Sequence, residues 1–470
     1  MTLYPDHESL IPLSYNYAVP TSSALSPGKR PDRRLLAVLL IVPLMFSLAT
    51  AWQFDHSFAG ISLFGLTNLV GPTTESLMHG KGLAVCTDAM GTLDNPICFH
   101  SGRMPLPTLV VALGIRLFGD HFLPVGFFKV LLLVIPIEIS IFFVWCRLPS
   151  DRPRRFLIAL LLLVPFGITA FLADVVNLQV EEGYSYSFLA LAVSILFFAQ
   201  EKVRRSQQIA LVHALLFALS ADAIYLAKSS MAPAVLVLAI AFVFHERRTT
   251  LRLMVLLLIA AAPIGWAMYQ HHASGRYALG TSIDGINLHK GNNAAFLSRY
   301  PPPPGDTLDQ YDPELNAGHQ FPNEWSFNDF HQRASLDFIQ SHPGQALKAD
   351  GRKLLVILFM TRKLGSAESH GRVLVLETIG LIVFRILFWT ALVCATYGLL
   401  CSRRPGTSFR RSWTGSGAIF LFLVAACILP YLLGFAYTRH LSILIYPSVL
   451  MCCAVLVSPT HIPESSIAAL

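Results

Sequence analysis

The sequence predicts an all-α polytopic membrane protein, and three observations carry that prediction. Of 470 residues, 54% are hydrophobic and only 13% are charged, against roughly 25% charged in soluble domains. The mean hydropathy is +0.56. The Lys and Arg residues behind the net charge of +7 fall in short clusters between apolar runs, where they anchor and orient helices. They form no basic face interleaved with aromatics, so no nucleic-acid partner is expected.

A crossing helix needs about 20 apolar residues. The first such run, residues 35–53, follows Lys29, Arg30, Arg33 and Arg34, which places the 1–34 tail in the cytoplasm. Ala49-Thr50-Ala51 resembles a signal-peptidase site, but about 34 residues before the apolar run exceed a whole ordinary signal peptide, so the run is read as a retained anchor. Residues 105–118 are short and carry Arg116. Counting them as a crossing would put the basic stretch 147–155 outside, so they are read as a helix lying at the outer interface.

The second crossing is then 122–146, and every later basic cluster falls inside. The remaining crossings are 156–173, 184–199, 208–226, 231–245, 251–269, 373–400, 416–435 and 440–458. About ten crossings result, with both termini, including the 459–470 tail, in the cytoplasm. Residues 35–269 form an N-terminal transmembrane module, and 373–458 supply the C-terminal helices. Two long segments stay outside, 54–121 and 270–372. No internal repeat or separate soluble domain is visible.

Cys86 and Cys98 share the first outer loop; they are either a disulfide of an oxidising compartment or two free thiols. The outer His56, His79, His100 and His121 lack ligand spacing within one helix, so no tightly bound structural metal is expected.

Charge in or beside a bilayer is costly, which makes it informative. Asp55, Arg103, Lys129, Glu182, Lys228 and Arg439 all map to outer helix ends, and His440 follows Arg439. Glu75 lies on a short amphipathic stretch of the first outer loop, and Glu138 falls near mid-bilayer. Cations around carboxylates on one membrane face suit an anionic, membrane-embedded ligand. Arg and Lys would clamp its phosphate, and a carboxylate would take the proton of an attacking hydroxyl.

The second outer segment holds "KGNN" at 290–293 and then Pro301 to Pro304. Gly291 allows a tight turn, Asn292 and Asn293 offer amides suited to sugar hydroxyls, and the prolines impose an extended strip. Residues 328–360 read as helical pieces broken at His342-Pro343, the first with apolar Phe330, Ala334, Phe338 and Ile339. The segment reads as a lid over an outer cavity.

In order along the chain, "HGKGL" (79–83), "GRMPLP" (102–107), "IRLFG" (115–119), Glu182 before "GYSYSFLALAVSILFF", "ALSADAIYLAKSS", "KGNN" and "TRHLSILIYP" resemble the GT-C glycosyltransferases. The likeness is to the branch of the protein O-mannosyltransferases and the lipid A aminoarabinose transferases. The resemblance implies a GT-C-like bundle with interfacial helices in its first outer loop. It implies inverting transfer of a sugar from a polyprenyl-phosphate donor to a lipid, glycan or protein acceptor on the periplasmic or lumenal face, in a bacterial inner membrane.

Arg103, Lys228 and Arg439 then match the basic positions and Glu182 the second acid. The family's catalytic acid lies about fifteen residues before G-x-G, which here falls in the carboxylate-free "FGLTN" (64–68); Asp55 and Glu75 are the bases left open. Two other readings stay in view. One is a transporter of lipid-linked substrates. The other is an O-antigen polymerase or ligase, for which Arg276, His289, Arg299 and His319 in the outer segment would matter.

Overall fold

A computed structural model describes residues 33–57, 62–66, 69–87, 97–149, 151–168, 175–178, 180–204, 211–302, 312–362, 372–401 and 410–457. Expectations for the two tails, apart from Arg33 and Arg34, lie outside these residues, as do Pro303 and Pro304 of the proline strip. Among the described residues the protein is all-α apart from one short hairpin.

Six helices are long and apolar enough to cross a membrane: Arg33–Gln53, Phe122–Trp145, Thr249–Ser274, Val375–Leu400, Gly415–Leu433 and Thr438–Val457. Four shorter apolar helices accompany them, Pro105–Phe118, Glu182–Phe198, Leu211–Ala227 and Ser229–His245. The bundle is built from α1 (Arg33–Ser57), α3 (Pro105–Phe118), α4 (Phe122–Trp145), α5 (Arg152–Leu163), α6 (Glu182–Arg204), α7 (Leu211–Ala227), α8 (Ala232–His245) and α9 (Thr249–Ser274). α15 (Arg372–Cys401), α16 (Arg410–Leu433) and α17 (Ile445–Val457) complete it. Between them lie α2 (Val70–Met78) in the first outer loop, and α10 (Asp284–Gly291), α11 (Phe296–Arg299), α12 (Asp312–Asn316), α13 (Glu324–Ser341) and α14 (Pro343–Phe359) in the second.

α6 is the axis of the bundle. Tyr184, Tyr186, Leu189, Ala190 and Ala192 are fully buried, and α4, α7 and α17 surround the helix. Buried Lys129 on α4 donates to the carbonyls of Asn177 and Val180 and lies 5.0 Å from the centre of the Tyr184 ring. A charged donor inside the bundle is stabilised only by such partners. Here it fixes the strand of chain that delivers Glu181 and Glu182. Helix ends follow local chemistry: α3 starts at Pro105, where the missing N–H costs nothing, and α9 stops at Gly275 with φ 78°.

The first outer loop contributes a hairpin, β1 (Val85–Thr87) and β2 (Ile97–Phe99), whose antiparallel register sets Cys86 opposite Cys98. The two cysteines are joined as a disulfide. Val85, Ile97 and Phe99 pack with Ile283, Ile286, Phe321 and Phe327 in a satellite core, so segments 54–121 and 270–372 share one cap.

α13 ends at Ser341 and α14 begins at Pro343, the break expected at His342-Pro343. The buried face of α13 differs from the expected apolar stripe. It consists of Trp325, Phe327, Asn328, His331 and Ser335, while Phe330, Ala334, Phe338 and Ile339 are only half-buried. The reason is its partner, the polar helix α10. Asn328 Oδ1 accepts from the Gly285 amide at 2.8 Å, and Ser335 Oγ donates to the Leu288 carbonyl at 3.4 Å. That face therefore joins hydrogen bonds to α10 with burial of Phe327 in the satellite core.

Candidate functional site

At one end of the bundle, under the cap, lies a cavity of about 730 Å³. Its floor comes from helix ends that chain reversal brings together: Arg103 before α3, Glu181 and Glu182 at the start of α6, Lys228 at the turn between α7 and α8, and Arg439 and His440 in the 3₁₀ turn before α17. Local physics favours these placements. An acid in the first turn of a helix and a cation just past the last turn both complement the helix dipole; Glu182 and Lys228 occupy those positions on α6 and α7.

The floor is one charge network. Lys228 Nζ donates to Glu182 Oε1 at 2.8 Å and lies 3.4 Å from Glu181 Oε1. Arg103 Nη1 reaches Glu181 Oε2 at 3.4 Å, and Arg439 Nε lies 3.6 Å from Glu182 Oε1. Three cations thus share two carboxylates. Glu182 is the most enclosed, with 5% of its side chain exposed, against 29% for Arg103 and 30% for Arg439. The guanidinium groups of Arg103 and Arg439 both line the cavity.

His440 stacks on Tyr431, ring centres 4.0 Å apart, and its Nδ1 accepts the Tyr437 amide at 3.1 Å. An accepting Nδ1 puts the proton of the neutral ring on Nε2.

The wall opposite comes from the second outer segment: Leu279 to Thr281, Asp284, Asn287 and Lys290 line it, beside apolar Ile283, Ile286 and Phe435. The cavity therefore has charged and apolar linings side by side, the character of a site for an amphipathic anion.

Of the residues singled out in the sequence, Arg103, Glu182, Lys228, Arg439 and His440 meet in this cavity. Among the described residues four do not meet there: Lys129, Glu75, Asn292 and Asn293. Lys129 sits behind the floor on the carbonyls of Asn177 and Val180. Glu75 is exposed on α2, outside the cavity lining. The side chain of Asp55 lies outside the described residues.

Asn292 and Asn293 spend their amides on the backbone, since this polar turn is a clasp. Asn292 Nδ2 donates to the carbonyls of Leu288 and Leu433 at 2.8 and 2.5 Å, tying α10 to the end of α16. Asn293 Nδ2 donates to the His289 carbonyl at 2.7 Å, and its Oδ1 accepts the Ala295 amide at 3.0 Å. At Gly291 an added Cβ would lie 1.8 Å from the Gly434 carbonyl oxygen, so only glycine lets the two backbones touch. Buried Lys353 closes the clasp, donating to the Leu432 carbonyl at 2.7 Å.

Sequence reasoning passed over Glu181 in favour of its neighbour, and it missed Asp284, Asn287 and Lys290 altogether. For Asp284 a signal existed in "TSIDG": a Thr three residues before an Asp, at the start of a helix.

No family model, curated protein or solved structure matches the chain.

Proposed function

We propose that the protein is a membrane glycosyltransferase that moves a sugar from a polyprenyl-phosphate donor to a lipid, glycan or protein acceptor. In this reading the bundle makes ten crossings of a bacterial inner membrane, with α3 lying at the outer interface, both termini in the cytoplasm and the cavity on the periplasmic face. The disulfide of the cap agrees with an oxidising compartment on that side.

One observation carries the reading: Arg103, Lys228 and Arg439 converge on one cavity at the end of an apolar bundle, linked through Glu181 and Glu182. This cluster of cations suits a phosphate that gains negative charge as the sugar leaves. Preorganised cations aimed at a developing anion are an effective way to lower such a barrier. Glu181 and Glu182 keep the cations in place before substrate arrives. The apolar lining beside them suits the first isoprene units.

The polymerase or ligase alternative leans on Arg and His of the outer segment, and those side chains are engaged within it. Arg276 Nη1 donates to both carboxylate oxygens of Asp329 at 2.8 Å, and Arg299 reaches Glu314 at 2.7 Å.

The test is donor turnover. Full-length protein in native membranes is given polyprenyl phosphates carrying labelled mannose, glucose, galactose or aminoarabinose, and release of free polyprenyl phosphate is followed. Turnover of at least one donor is expected, with Arg439→Ala slower by about 10²–10³-fold, the usual cost of removing one such donor. No turnover of any donor by wild-type protein overturns the reading.

A further inference from the structure

We propose that Asp284 is the general base that takes the proton of the acceptor hydroxyl. This assignment rests on the transferase reading, and it starts from a difference between the three carboxylates that, among the described residues, line the cavity. Glu181 and Glu182 are each held by two cations. A carboxylate so paired is stabilised as the anion and becomes a poor proton acceptor.

Asp284 is held by neutral donors instead. Its Oδ2 accepts the Thr281 amide at 2.8 Å, its Oδ1 accepts the Thr281 hydroxyl at 2.7 Å, and Ser229 Oγ, next along the chain from Lys228, lies 3.5 Å from Oδ2. These bonds orient the carboxylate without neutralising it.

The turn that carries Asp284 is anchored. Trp266 Nε1 and Gln270 Nε2 both donate to the Gly280 carbonyl, at 3.0 and 2.7 Å, and Tyr225 donates to the Leu279 carbonyl at 2.5 Å. At Gly280 an added Cβ would lie 2.1 Å from Asp284 Oδ2, so the glycine leaves room for the carboxylate. Asp284 is exposed to the cavity. Desolvation pushes its carboxyl up, nearby Glu181 adds to this, and the Thr281 and Ser229 donors pull the other way. Tyr225 is the other titratable group coupled to it, and Arg103, Lys228, Lys290 and Arg439 share the cavity. A base whose pKa is raised toward neutrality is better matched to its task than one held low.

The step balances. An oxygen lone pair of the acceptor forms the new bond to the anomeric carbon while the bond from that carbon to the phosphate oxygen breaks. That bond's electron pair stays on the phosphate, facing the cations of the floor. The acceptor's proton passes to Asp284, and the sugar inverts.

In the donor assay above, Asp284→Asn is expected to lower kcat by about 10²–10⁴-fold, while polyprenyl phosphate still raises the thermal stability of the variant as it does that of wild-type protein. Thr281→Val keeps the carboxylate but removes one donor to its anion. The acid limb of its kcat profile should therefore move to higher pH, which a merely structural residue would not cause. Gly280→Ala, which displaces the carboxylate, should lower kcat without lowering polyprenyl-phosphate binding.

Wild-type turnover with Asp284→Asn equally active overturns the assignment and leaves the transferase reading standing. So does an unmoved acid limb in Thr281→Val. Absence of wild-type turnover overturns both. If Asp284→Asn does not fold, the two other variants decide.

Discussion

The floor and the wall of the cavity are built on opposite plans. In the floor, Arg103, Glu181, Glu182, Lys228 and Arg439 compensate one another within 3.6 Å. In the wall, Asp284 is held by Thr281 and Ser229, and Gly285 meets Asn328, all through neutral hydrogen bonds. The difference follows from where each half lives. At the end of an apolar bundle an isolated charge is too costly to keep, so charges come as a network. In the polar cap a carboxylate can stand without a cation, and its affinity for a proton stays free for chemistry. Position comes from paired charge, and reactivity from unpaired charge.

The largest effect that would break this contrast lies in the floor. Glu182→Ala leaves Lys228 without its 2.8 Å partner in an enclosed site and should destabilise the bundle by about 3–5 kcal/mol. Pairing it with Lys228→Met should recover part of that loss, with a coupling of about 0.5–3 kcal/mol. Thermal unfolding in detergent measures both. If the two single substitutions simply add, the floor is not a network.

The wall is expected to fail differently, by displacement. In Gly291→Ala the new methyl meets the Gly434 backbone, which has no flexible end to swing away. The cost should be about 1–3 kcal/mol, typical of overpacking, and donor turnover should fall because the carrier of Asp284 is lifted from α16. Gly351 on α14 faces open space; Gly351→Ala should instead gain about 0.5–1 kcal/mol from helix propensity. Loss of turnover in the first variant with an unshifted melting temperature would show that the clasp does not carry the wall.

How much of this was legible in the sequence divides along the same line. The long apolar runs give six helices of crossing length by composition alone, since a bilayer demands it. Arg103, Glu182, Lys228 and Arg439 stood out because charge is anomalous at the ends of such runs. Asp284 did not, because an aspartate in a polar segment is ordinary. What sets it apart is which donors surround it, and those come from Ser229 across the fold as well as from Thr281. Asn292 and Asn293 show the reverse case. An amide suits a sugar hydroxyl and a backbone carbonyl equally well, so residue type alone could not tell a ligand contact from a clasp. The face buried by α13 was obscured for the same reason, since it packs on polar α10 and its apolar stripe is not the interface.

An effect confined to the cap sharpens the contrast through pH. In the cap, His331 Nε2 meets Asn316 Oδ1 at 2.7 Å, and the Nδ1 atoms of His331 and His289 are 2.8 Å apart. An acceptor oxygen requires the proton on Nε2 of His331, so its Nδ1 accepts from the Nδ1–H of His289. Protonating His331 would set two N–H groups against each other. Burial, with His289, His319 and Lys290 nearby, pushes His331 down to about 3, and burial pushes His289 down to about 4. The unfolded cap, near 6.5, therefore binds protons that the folded cap refuses. Its stability is fully present above about pH 6.5 and is lost as pH falls toward 4. By pH 5 the loss should be about 2 kcal/mol for each of the two histidines, about 4 kcal/mol together, seen as lower hydrogen-exchange protection factors in α10 and α13 with α6 unchanged. His331→Asn should flatten that dependence. Equal losses in α6 and α13 would mean that floor and wall open as one unit, and the division between a fixed floor and a separately held wall would fall.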